Sequence, residues 1–191
     1  RGPFMGSTAA TTALVMHELD QPLSVLALGF GKEGAVRAWR RSRLAVANLR
    51  ARIDELGIRC RVELRPSLYL AGDQLDAEEL RTEAKMRRLA GIHATYLTKT
   101  ELSRQFGIHR GAAILSPDNL SLDPRKLTAG LLLKASERKA RFYAGAEAKD
   151  VVSSNGEVLI STIDGPTIRA THVVAATGYE LVTGLPKVPD H

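Results

Sequence analysis

From Val36 to Leu56 the apolar residues Val36, Trp39, Val46, Leu49, Ile53 and Leu56 recur at intervals of three, four and seven. That periodicity places them on one face of a long helix, and Gly57 is its expected stop. The helix constrains everything upstream of it. Gly29-Phe30-Gly31-Lys32-Glu33-Gly34 matches GxGxxG and follows the apolar run LSVLAL, the pattern of a dinucleotide-binding turn. Such a turn needs a short helix leading to a strand that ends in an acidic residue about 20 positions on. Here the acidic residues at that distance, Asp54 and Glu55, lie on the helix itself. The match is therefore read as coincidental.

Downstream, the pattern alternates between helix and strand. Cys60, Val62 and Leu64 alternate with charged residues, and after Pro66 the run SLYLAG is again extended, which predicts a pair of strands. Asp76 with Glu79 reads as a capping-box start for a helix carrying Leu80, Ala84 and Leu89 to a stop at Gly91. Thr98 with Glu101 repeats the device for a short helix ending at Gly107. GAAILSPDNLSLDP is expected to be a loop, after which Asp123 as N-cap and Pro124 at the first helical position open a helix through Leu127, Leu131 and Ala135. EAKDVV, EVLIST and TIRATHVVAAT are three strand-like runs, separated by the turn signals Ser154-Asn155-Gly156 and Asp164-Gly165-Pro166. The last run reads as a buried strand ending abruptly at Thr177-Gly178.

The 191 residues suffice for one large or two small domains with a good core. A single cysteine, Cys60, excludes a disulfide framework; it is either a small buried hydrophobe or a reactive thiol. No apolar run approaches the ~20 residues of a membrane helix, and a cytoplasmic protein that binds no membrane is expected. The net charge of +6 comes largely from Arg37, Arg40, Arg41, Arg43, Arg50 and Arg52. They form either the solvated face of the helix or a stripe that meets an acidic partner or nucleic acid.

Few residues point to chemistry directly. Small hydroxylated residues follow Gly6 in GSTAATTAL, and a helix N-terminus of that composition either holds a diphosphate or is merely capped by Ser7 or Thr8. His17, His93, His109 and His172 have no ligand-spaced partners, so no metal site is expected. There is no serine elbow, and Cys60 has no assignable base.

Four stretches, GSTAATTALVMHELDQPL, SLYLAG, DPRKLTAGLL and HVVAATGYE, resemble in this order and spacing the FAD-dependent oxidoreductases of the D-amino-acid oxidase and glycine oxidase superfamily. The resemblance implies an α/β fold, mixed α+β in this chain: an FAD/NAD(P)-binding-type flavin domain with an inserted α+β substrate (cap) domain, incomplete. Residues 1–58 and 123–191 would belong to the FAD-binding domain and 59–122 to the substrate domain. The chain is expected to be an internal fragment, without the N-terminal GxGxxG unit and the C-terminal half, and inactive alone. By resemblance, FAD would be bound by Gly6, Ser7, Thr8, Thr11 and Thr12 along the diphosphate and ring side, by Ala148 beside the adenine, and by Ala176, Thr177 and Gly178 near the diphosphate.

The implied reaction is hydride transfer to flavin from a C–N bond of a small-molecule amine or amino acid. A hydroxy acid or glycerol phosphate is the nearest rival substrate, and a non-catalytic module binding an acidic partner or nucleic acid through the Arg-rich helix is the rival of another class. For the flavoenzyme no nucleic-acid partner is expected, while self-association through exposed faces, Val173 and Val174 among them, is. Three positions depart from the family pattern. Ala10 and Ala13 replace basic or polar residues that some relatives carry near the flavin, and Lys139 replaces a glycine at a helix end, which weakens the expected cap. No catalytic residue is assigned.

Overall fold

The computed structural model describes residues 6–154, 156–177 and 183–184. The chain divides into two compact units, one of Gly6–Ala140 and one that includes Arg141 onward.

The first unit is a four-stranded antiparallel sheet with helices packed on it. A 3₁₀ turn, Ser7–Ala9, precedes β1 (Leu14–Val15), α1 (Leu23–Glu55), β2 (Glu63–Leu70), α2 (Ala77–Leu89), β3 (Thr95–Thr98), α3 (Lys99–Phe106), β4 (Ala112–Ser121) and α4 (Pro124–Glu137). The helix boundaries follow the sequence signals. Asp76 and Thr98 each close a capping box with Glu79 and Glu101, Asp123 accepts hydrogen bonds from the N–H groups of Arg125 and Lys126, and Gly57 and Gly91 take positive φ just past their helices.

Two expectations are corrected, and the reading of GxGxxG as coincidental holds. LSVLAL is helical: α1 starts at Leu23 and runs through the GxGxxG segment, interrupted at Gly31 (φ 71°, ψ 155°). No strand enters that segment, so the glycines serve a break in a helix. The stretch around Cys60 and Val62 precedes the strand, so CRVEL and SLYLAG contribute one strand, β2, instead of two. GAAILSPDNLSLDP is no loop but β4, the central strand, with β2 on one side and β1 and β3 on the other. Its turn-like Ser-Pro-Asp-Asn composition is accommodated at a bulge. Register runs from Arg65↔Asn119 to Ser67↔Ser116, so Pro117 and Asp118 face the single Pro66. Both prolines thus lie where the ladder is already interrupted and no N–H is required of them.

Cross-strand pairs alternate between faces. Tyr69 and Ile114, with Ala112, pack under α2 around Leu80 and Ala84, while Leu68, Leu70, Ala113 and Leu115 pack with Leu97 and Leu102 of β3 and α3. Trp39 and Ala35 of α1 bury against Ala90 and Ile92 at the end of α2, and Cys60 lies with Ile53 and Leu122 in a further cluster.

The second unit is an antiparallel meander of β5 (Ala148–Ser154), β6 (Glu157–Thr162) and β7 (Ile168–Ala170). Ser154 pairs with Glu157 across the expected tight turn, whose Gly156 has φ 77°. The third run is shorter than its composition predicts. Residues 172–177 are in neither helix nor strand, and Val174 is 87% exposed. A β-branched run becomes a buried strand only where a neighbouring strand pairs with it, and β7 ends at Ala170.

Candidate functional site

Ser7, Thr11 and Thr12 are exposed and Thr8 is half-buried on a short turn that lies against α4. Neither Ser7 nor Thr8 is a cap: the residue at the N-cap position is Gly6 (φ −108°, ψ −161°), with no side-chain cap bond, and the helical run is three residues long. A Cβ at Gly6 would meet nothing within 4 Å, so the turn is open to an approaching group. Thr11 Oγ1 accepts a hydrogen bond of 3.3 Å from the N–H of Ala13. Ala13 has φ 64°, and its carbonyl accepts from the N–H of Leu122, tying the segment to the end of β4. In the second unit Ala148 opens β5 opposite Thr162 and is exposed, as are Ala176 and Thr177. Gly178 lies outside the described residues.

The other polar groups gather in the interior of the first unit. Glu83, on α2, is fully buried; its Oε1 accepts from the Leu23 N–H at 2.8 Å and its Oε2 from the Ser24 N–H at 2.7 Å. Pro22, at the N-cap of α1, has no side-chain cap to offer, so a carboxylate 60 positions away satisfies those donors. Arg87 Nε donates to Glu83 Oε1 at 2.6 Å, and its guanidinium lies 4.4 Å from the centre of the Trp39 ring. Burial opposes ionisation of Glu83, yet the hydrogen bonds from Ser24 and the charge of Arg87 outweigh it and hold the carboxyl below its ordinary range.

Also in the first unit, buried Asn119 at the β4 bulge accepts from the His17 backbone N–H at 2.9 Å and contacts His17 Nδ1 at 2.9 Å. Its amide donates to Ser67 Oγ at 2.9 Å and to Glu18 Oε1 at 3.2 Å. Sequence reading passed over these residues. Glu83 and Arg87 look like solvated helix positions, and the i, i+4 spacing of opposite charges is the one signal that could have found them as a pair. Cys60 is buried, and burial pushes its thiol up, which makes it a small hydrophobe instead of a nucleophile.

The model of the family described as FAD-dependent oxidoreductase (DAO) matches residues 1–190. The chain belongs to that family. The FAD-dependent oxidoreductase assignment agrees with the fold. Glycine oxidase from Geobacillus kaustophilus superposes with a TM-score of 0.63 at 21% identity, covering 87% of this chain and 44% of that one. L-proline dehydrogenase from P. horikoshii gives 0.61 at 18% identity, covering 86% and 41%. L-α-glycerophosphate oxidase from Mycoplasma pneumoniae, a structure with FAD bound, gives 0.63 at 14% identity, covering 84% and 41%. The chain thus spans less than half the length of these solved relatives. No curated protein matches it. Among the described residues no helix is long and apolar enough to cross a membrane.

Proposed function

We propose that this chain is part of a cytoplasmic FAD-dependent oxidoreductase that oxidises a C–N bond of a small amine or amino acid. The observation that carries the reading is the family match over residues 1–190. When bound, flavin accepts the hydride from the carbon while the nitrogen loses a proton, leaving an imine that water hydrolyses to a carbonyl compound.

The chain's own residues bind and orient. An exposed turn of small hydroxylated residues, open at Gly6 and free of a side-chain cap, fits a diphosphate, whose oxygens need N–H and O–H donors without steric bulk. Gly6, Ser7, Thr8, Thr11 and Thr12 would provide it. Ala148 at the start of the meander would meet the adenine, and Ala176, Thr177 and Gly178 the diphosphate. On this reading residues 1–58 and 123–191 serve the FAD-binding domain and 59–122 the substrate domain. The exposed Val173 and Val174 are then surfaces for packing or self-association. The glycerophosphate oxidase likeness, with the same TM-score as glycine oxidase, supports a second reading in which the substrate is a glycerol phosphate.

The test is an FAD titration of the purified chain followed by removal of unbound flavin. Retained flavin bands are expected, with affinity lowered about tenfold by Thr8→Leu through lost donors and added bulk. No retention by a chain whose circular dichroism is that of a folded protein would refute the Gly6-to-Thr12 cradle. Because this chain is expected to be inactive alone, the substrate is tested on the parent enzyme: anaerobic bleaching of its bound flavin by an amino acid would support the amine reading, and bleaching by glycerol 3-phosphate alone would replace it with the second.

A further inference from the structure

β4 is the central strand of the first unit, yet it bulges where Pro117 and Asp118 oppose Pro66. A bulge re-aims the side chains beside it, and the residue that follows, Asn119, is only 1% exposed. A buried amide is tolerated when its donors and its acceptor all find partners. Asn119 meets that demand in full. Its Oδ1 accepts from the His17 backbone N–H and from His17 Nδ1, each at 2.9 Å, and its Nδ2 donates to Ser67 Oγ at 2.9 Å and to Glu18 Oε1 at 3.2 Å. Because Oδ1 cannot donate, His17 Nδ1 carries the proton.

Successive attachments thereby hold the chain that leads out of the Gly6–Thr12 turn. The Ala13 carbonyl accepts from the Leu122 N–H at 3.1 Å, and Leu14 and Val15 pair with Ser121 and Leu120. Beyond Val15 the Asn119 side chain takes the place of a backbone partner for His17. Thr11 Oγ1, accepting from the Ala13 N–H at 3.3 Å, joins the turn itself to the first of these attachments. The His17 ring also stands edge-on to buried Trp39 of α1, with centroids 6.3 Å apart and planes at 80°. Ser67 of β2 donates to Glu18 as well as accepting from Asn119, so β2, β4 and the segment after β1 meet at one amide.

We infer that Asn119 is a positioning residue for the cofactor: it fixes the path of residues 13–18 and, through them, the placement of the Gly6–Thr12 turn. The inference rests on the reading of that turn as the diphosphate cradle. A cradle binds well when its N–H and O–H groups are already held where the phosphate oxygens will lie, since ordering them on binding costs affinity. The turn has little of its own to hold it, being a 3₁₀ run of three residues without a side-chain cap. Contact with α4 supports it on one side; its exit depends on the strand pairing that Asn119 extends. Asn119 acts through the backbone of that exit and needs no contact with the flavin.

The experiment combines amide hydrogen exchange and FAD titration on the full chain, comparing Asn119→Leu, which removes all four bonds at similar volume, with Leu102→Ala. The latter opens a cavity in the cluster around α3 and lowers stability without touching the clamp. Both are measured where circular dichroism shows a folded chain. Asn119→Leu is expected to quicken exchange at the Ala10 and Leu122 amides about tenfold more than Leu102→Ala does, and to weaken FAD binding about tenfold where Leu102→Ala changes it less than about twofold. Equal effects of the two variants would mean that global stability alone is read, and would overturn the inference. So would unchanged exchange at Ala10 and Leu122, or unchanged affinity in a chain that binds FAD. If Asn119→Leu does not fold, Ser67→Ala, which spares the His17 bonds, decides by the same comparison with about threefold effects expected. If the wild-type chain retains no FAD, the cradle reading falls by itself, and the exchange result alone upholds or overturns the positioning role.

Discussion

Glu83 serves three donors with two oxygens, and that arrangement decides how the first unit responds to acid. The carboxylate is held charged by the N–H groups of Leu23 and Ser24 and by Arg87, so its pKa in the fold lies below the ordinary 4.5. A depressed folded pKa contributes stability that is present above the unfolded value and is lost as pH falls through the folded one. Melting temperature should therefore hold steady near neutrality and drop below about pH 4.5. Glu83→Gln should melt lower at pH 7, where it leaves buried Arg87 without its counter-charge, and should show a shallower acid slope; thermal melts from pH 7 to pH 3 measure both.

Lys139 tests a smaller effect. It closes α4 with two bonds, its own N–H to the Ser136 carbonyl and the Ala140 N–H to the Ala135 carbonyl, at φ 70°. The expected cap forms without glycine, at the cost of a left-handed lysine. Lys139→Gly should stabilise by about 1 kcal/mol, read from urea denaturation midpoints.

At the scale of elements, legibility tracked how local each cause was. The capping boxes at Asp76 and Thr98, the Asp123-Pro124 start and the glycine stops were all readable because each depends on residues within one turn. β4 was not. Ser116-Pro117-Asp118-Asn119 has turn composition, and only the opposing Pro66 makes it a bulge in a strand paired on both edges. The opposite error came at Val173–Thr177, where β-branched residues promise a strand that the described structure does not form. Of the candidate site, Ser7 to Thr12 read as a helix N-terminus and form only a three-residue turn without a side-chain cap, while the bonds from Leu23 to Glu83 and the Asn119 network join residues 52 to 102 apart in sequence. Gly130 carries a cause of that distant kind. A Cβ there would meet Ile58 Cγ2 at 2.4 Å, and Ile58 is β-branched and stiff. Gly130→Ala should thus destabilise by about 1–2 kcal/mol through overpacking despite the gain in helix propensity. In an Ile58→Ala background, where only the Ile58 Cβ contact at 3.3 Å is left, the same substitution should cost less, and a double-mutant cycle measures the coupling.

The whole molecule is unevenly stabilised. The first unit contains four hydrophobic clusters, anchored by Trp39, Leu80, Ile114, Leu102 and Ile53. In the second unit, Val151 is the single buried hydrophobic residue among those described. Three strands with so little apolar burial open more readily than a sheet covered by helices. Residues 141–147, which precede β5, are exposed throughout and contain Arg141, with Arg138 and Lys139 just before them. Limited trypsin digestion should therefore cut first near Arg138–Arg141 and leave a resistant piece extending back through α4, while β5–β7 are degraded. Amide exchange should agree, slowest at Ile114 and Leu115 of β4 and faster by orders of magnitude across β6. Saturating FAD sharpens the outcome, because a ligand stabilises what it contacts. If Ala148 and the Ala176–Gly178 segment meet the cofactor, FAD should slow cleavage at Arg141 and exchange in β5. Protection confined to the first unit would restrict the flavin contacts to Gly6–Thr12 and remove Ala148, Ala176, Thr177 and Gly178 from the site.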